Sequence, residues 1–104
     1  MTQHFFAAIV QRSSSWDATK PPQEQAGFPA HAKYMAGLEA AGFIALAGLM
    51  QDTSDVLFIL RADSEAEVRS RFAQDPWQQD GHARLVRVEE IHFRIGAPLP
   101  HPGA

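Results

Sequence analysis

The chain has 104 residues, enough for one domain with its own core and too few for two. Twelve acids against nine bases leave a net charge of −3, so there is no basic excess to neutralise a phosphate backbone, and no nucleic-acid partner is expected. Cysteine is absent, which removes disulfides, thiolate catalysis, zinc–cysteine sites and iron–sulfur clusters. No apolar run reaches the ~18 residues of a membrane span, and Met1–His4 carries no basic stretch ahead of an apolar one. A cytoplasmic globular domain is the expectation, with 45% of the residues hydrophobic.

Phe5 to Val10 is a short aromatic and aliphatic run that reads as a strand. Residues 12–28 are rich in Ser, Pro and polar side chains and read as a long loop, a length that in a compact domain usually serves function. Pro29 suits the first turn of a helix, and Ala30, Tyr34, Leu38 and Ala41 recur at helical spacing, so a helix is predicted over 29–41 with Gly42 behind it. Phe43–Met50 and Asp55–Arg61 are apolar runs joined by a polar turn, the pattern of a β-hairpin. Ser64 and Glu67 form a capping box for a helix over 65–73, which Pro76 brings to a stop, with 78–81 as a turn. Residues 84–95 are the last strand. The apolar parity changes between Val88 and Ile91, which predicts a β-bulge near Glu89 and Glu90. Residues 97–104 read as a Pro-rich tail after a single domain over 1–96.

The order β-α-β-β-α-β predicts an α+β, ferredoxin-like fold: a four-stranded antiparallel sheet with two helices on one face. The strands do not alternate between apolar and polar residues as a sheet with one wet face would. A second copy is the simplest cover for the other face, so a homodimer packed sheet to sheet is expected, a dimeric α+β barrel.

Topology brings the N-terminus of the first helix and the C-terminus of the second to one edge of the sheet. His31 and Asp75, 44 residues apart, therefore share that edge. A carboxylate beside a histidine fixes its tautomer and stabilises the imidazolium, which makes the pair a candidate general base. Arg12 and Trp16 in the long loop, with Trp77 and His82, fall at the same end as candidate substrate-binding residues, Arg12 as an anion anchor. A histidine in a first helical turn is often only a hydrogen-bonded structural residue, and tryptophans more often pack than line a site. No triad of ligands at metal spacing and no glycine-rich phosphate loop is present, so neither a metal nor an organic cofactor is expected.

Pro29-Ala30-His31 opening a helix, then Leu38, Ala41-Gly42, Ala47-Gly48 and Asp75-Pro76, resemble the YciI-like family, the YCII-related domain. The resemblance spans residues 4–96. It implies a dimeric α+β barrel and an active site built on the helix-1 histidine and the aspartate before proline, here His31 and Asp75. It also implies lyase-type chemistry, including dehydrochlorination of hydroxylated aromatics. The leading expectation is a cofactor-independent lyase or isomerase acting on a small cyclic or aromatic molecule. The alternatives are a non-catalytic ligand-binding domain and an enzyme-associated dimerisation module.

Overall fold

The structure, a computed structural model, describes residues 4–96. The tail expected over 97–104 lies outside the described residues. Four strands, β1 (His4–Arg12), β2 (Ile44–Leu49), β3 (Asp55–Ala62) and β4 (Ala83–Ile91), form one sheet in the order β2-β3-β1-β4. Every pairing is antiparallel. Helices α1 (Phe28–Ala40), α2 (Glu65–Ala73) and α3 (Pro76–Asp80) complete the fold, with a 3₁₀ turn at Pro22–Glu24 inside the long loop. This is the expected α+β, ferredoxin-like architecture with one added short helix.

The period of two along β1 and β3 decides which side chains meet the helices. Phe6, Ala8 and Val10 of β1 and Phe58 and Leu60 of β3 share the core with Leu38 of α1, Val68 and Phe72 of α2 and Trp77 of α3. The face of α1 turned to the protein carries His31, Tyr34, Met35 and Leu38, whereas Ala30 and Ala41 are exposed. Alanine at those two positions supports the helix without adding to the core. Tyr34 is polar at its tip and donates its hydroxyl hydrogen to the carbonyl of Arg71 at 2.6 Å.

Two details differ from expectation. Helix α2 ends at Ala73 and Asp75 is extended, as Pro76 requires, but Pro76 also opens a further short helix in place of the turn expected over 78–81. It occupies the first turn of α3, where a missing N–H costs nothing, and Asp75 caps that helix. The bulge in β4 falls earlier than Glu89-Glu90: Ile9 pairs with Arg87 and Val10 with Leu85, so Val86 is the extra residue. β4 ends at Ile91, and its pairing from Val88, opposite Ala8, to Ile91, opposite Phe5, is regular, so the two side chains lie on opposite faces of the sheet with no extra residue between them.

Helix α2 begins as its sequence requires. Ser64 Oγ accepts from the Glu67 N–H at 3.1 Å. The Glu67 carboxylate reaches back one residue beyond the usual partner, to the Asp63 N–H at 2.8 Å. That hydrogen bond, with help from Arg71, holds the Glu67 carboxyl below its ordinary 4.5 despite some desolvation. A depressed carboxylate stabilises the fold above its unfolded value and loses that contribution as pH falls through the lower, folded value. Ser64→Ala is expected to cost about 0.5–2 kcal/mol in urea titrations at neutral pH. Glu67→Gln should flatten the loss of stability below pH 4.5 relative to the unmodified chain.

Candidate functional site

The site is built where the first turn of α1 meets the start of α3. Gly27 precedes α1 with φ 79°, a left-handed conformation that glycine adopts without strain. A Cβ there would meet Asp80 Oδ2 at 3.4 Å and Trp77 Nε1 at 3.5 Å, ordinary contact distances, so it is the backbone conformation that calls for glycine. The close approach lets the Trp77 indole N–H donate to the Ala26 carbonyl at 2.9 Å. It also sets His31 in the first helical turn, its backbone N–H on the Gly27 carbonyl at 3.1 Å.

Asp75 is the N-cap of α3 and is 2% exposed. A single oxygen, Oδ1, accepts both the Trp77 backbone N–H at 3.2 Å and His31 Nδ1 at 2.8 Å. A carboxylate can only accept, so the ring carries a proton on Nδ1, and in its neutral form the lone pair is on Nε2. Nε2 has no protein partner among the described residues. The imidazole lies flat on the Trp77 indole, with centroids 3.8 Å apart and planes 13° from parallel. A hydrogen bond at the edge and a stack on the face together fix the orientation of a side chain that is 18% exposed.

Around Trp77 the aromatic groups continue. Trp16 from the long loop meets it edge-on at 5.1 Å. The Arg12 guanidinium lies over the Trp16 ring at 4.2 Å, and burial lowers its pKa. His82 lies 6.0 Å from Trp77 and is held by Asp80 at 2.8 Å. Burial pushes the Asp80 carboxyl up, but hydrogen bonds from the His82 backbone and ring, and the nearby charges of His82 and His31, outweigh it. The carboxyl therefore sits below its ordinary value.

These groups enclose a cavity of about 190 Å³. Arg12, Trp16, His31, Asp75 and Trp77 all line it; His82 does not, standing beside Trp77 outside the lining. The remaining walls are apolar and include Val10, Phe28, Phe58 and Phe72, with Pro22 from the loop. A cavity of ~150 Å³ lined by apolar side chains takes a benzene ring, so this one has room for a single substituted ring. The arrangement offers one base, one counter-charge, one guanidinium and aromatic faces.

Several of these residues carry no signal in the sequence. Phe58 and Phe72 sit at ordinary core positions, and Phe28 is an ordinary residue at a helix start. Gln25 is 4% exposed and shapes the loop: its amide oxygen accepts from the Asp17 N–H, and its NH₂ donates to the carbonyls of Asp17 and Lys20. A glutamine within a polar loop has nothing to distinguish it until the loop's own carbonyls are seen to turn inward.

Fold and site together define a ferredoxin-like α+β domain with a histidine–aspartate pair over a small apolar cavity. The chain belongs to the YCII-related domain family, whose profile matches residues 5–92. No curated protein and no solved structure matches the chain. Among the described residues, no helix is long and apolar enough to cross a membrane, and no group of three His, Asp or Glu could hold a metal ion.

Proposed function

We propose that the chain is a small cytoplasmic enzyme of lyase or isomerase type that acts on a small cyclic or aromatic molecule without a metal or organic cofactor. The observation that carries this reading is the 2.8 Å contact between buried Asp75 and His31 Nδ1, which leaves Nε2 without a partner in a residue lining an apolar cavity. The base takes a proton from an activated carbon of the bound ring. The electron pair left behind then expels a leaving group from the neighbouring carbon, completing an elimination. In an isomerisation, the same imidazolium returns the proton at a different carbon. In both, Asp75 offsets the positive charge that forms on the ring, and Trp77 keeps the ring in plane. General-base catalysis of this kind is worth ~10²–10⁴ in rate.

The test is a turnover screen of hydroxylated and halogenated cyclic compounds, repeated with His31→Asn. The expected result is turnover that falls by about 10²–10⁴ in the variant, with binding little changed. Full turnover in the variant refutes the base. Ligand binding with no turnover in either protein instead favours a ligand-binding domain.

The working unit in this reading is a homodimer packed sheet to sheet. Register places Phe5, Ala7, Ile9, Leu57, Ile59 and Leu46 on the face opposite the helices. Phe5 and Ile59 are already buried within the single chain, Ala7, Ile9 and Leu57 are half-buried, and Leu46 is 48% exposed, so the part of this apolar face open to water is what a second copy would cover. Light scattering at micromolar concentration should give twice the 11.5 kDa chain mass, and a clean monomer would reject the assembly.

A further inference from the structure

Arg12 is the arginine that lines the cavity, and it has no counter-charge there. Its guanidinium rests on the face of Trp16 at 4.2 Å and lines the cavity. No carboxylate among the described residues lies within ion-pair distance of it. The one acid lining the cavity, Asp75, is already occupied by His31 and the Trp77 N–H. Arg69, Arg71 and Arg87 pair with Glu65, Glu67 and Glu89, whereas no ion pair is seen among the described residues for Arg61, Arg84 or Arg94, so what sets Arg12 apart is its place in the cavity wall. Burial makes the Arg12 cation harder to keep charged, which shows in the direction of its pKa. A cation stripped of part of its water and left unpaired costs free energy that an incoming anion recovers.

We propose that the ring bound in this cavity carries a carboxylate, held by the Arg12 guanidinium. This inference rests on the cavity reading above and adds the substrate's charge to it. The chemistry of the donor favours a carboxylate, because the planar fork of a guanidinium presents two parallel N–H groups that match two carboxylate oxygens. A single guanidinium balances a single negative charge, and the rest of the lining is largely apolar, so a phosphate dianion would be left short of partners. Trp16 serves two roles. Its indole face supports the guanidinium, and its edge-on contact with Trp77 at 5.1 Å connects the anion end of the cavity to the ring system on which His31 lies.

The chain's two tryptophans, Trp16 and Trp77, both line the cavity, so intrinsic fluorescence reads its occupancy directly. The experiment titrates the full chain with benzoate and with benzamide, its neutral counterpart of nearly equal shape. Benzoate is expected to bind at least about tenfold more tightly, the scale of a hydrogen bond to a charged group. Arg12→Gln should remove that preference while leaving benzamide binding within about twofold, and Arg12→Lys should restore part of it. Equal binding of the two compounds by the unmodified chain overturns the carboxylate assignment and leaves the base reading standing. So does a preference unchanged in a folded Arg12→Gln. Failure of every ring compound to bind, neutral or charged, removes the cavity reading and this inference together. The comparison in the unmodified chain needs no variant to fold.

Discussion

Replacing Asp75 by asparagine is expected to lower turnover by about 10²–10⁴ while leaving the fold in place. The reason lies in how one oxygen is shared. Oδ1 accepts both from Trp77 N–H and from His31 Nδ1. An amide oxygen at the same position keeps both hydrogen bonds, so α3 stays capped and the imidazole stays oriented. What disappears is the negative charge that offsets the imidazolium as the proton moves. Asp75→Ala removes the acceptor as well. It should cost about 0.5–2 kcal/mol through the lost cap, and more where the buried ring is left without a partner. Paired turnover and urea-denaturation measurements separate the two variants. Full turnover in Asp75→Asn would make the carboxylate a cap and nothing more.

Phe72→Ala should have the largest effect on stability, about 3–5 kcal/mol. Phe72 is 1% exposed, and its ring meets Phe58 edge-on at 5.0 Å and Phe43 at 6.3 Å. Truncation leaves these two rings without a partner and opens a void that the sheet and α2 cannot close without moving. Native domains of this size hold a margin of only ~5–15 kcal/mol, so the variant would lose a large share of it. Phe72 also lines the cavity, so the void joins it. Ring compounds should therefore stabilise the variant more strongly than the unmodified chain, with melting temperatures compared at one fixed protein concentration. A loss below about 1 kcal/mol would mean the core can collapse around the gap, against the packing described.

Much of this architecture was legible in the residues. The Ser64–Glu67 capping box marked the start of α2, and its helical range of 65–73 follows. Apolar runs located all four strands to within a few residues, because the core side chains of the sheet fall within them. His31 and Asp75 could be brought to one edge because strand and helix directions follow from element order alone. What stayed hidden depends on contacts between elements. Pro76 ends α2 as expected, but it also starts α3, and that second helix shows only in the capping bond that the Trp77 N–H donates to Asp75. The bulge at Val86 is set by pairing with Ile9 and Val10 across the sheet, so β4's own parity misplaced it. Topology places His82 at the same end of the fold, yet it pairs with Asp80 and is not part of the cavity lining, which the sequence does not reveal.

The histidine–aspartate pair and one wall of the cavity belong to different kinds of structure. His31 and Asp75 stand at helix starts, tied to the backbone by the Gly27 carbonyl and the Trp77 N–H. Trp16 and Pro22 belong to the connection between β1 and α1, which is held largely by its own internal bonds through Gln25. A change in the length or composition of that connection can therefore redraw what fits the cavity while the histidine–aspartate pair keeps its geometry. For engineering, the segment between Ser13 and Ala26 is the exchangeable part, where new ligand preferences can be grafted beside an unchanged pair.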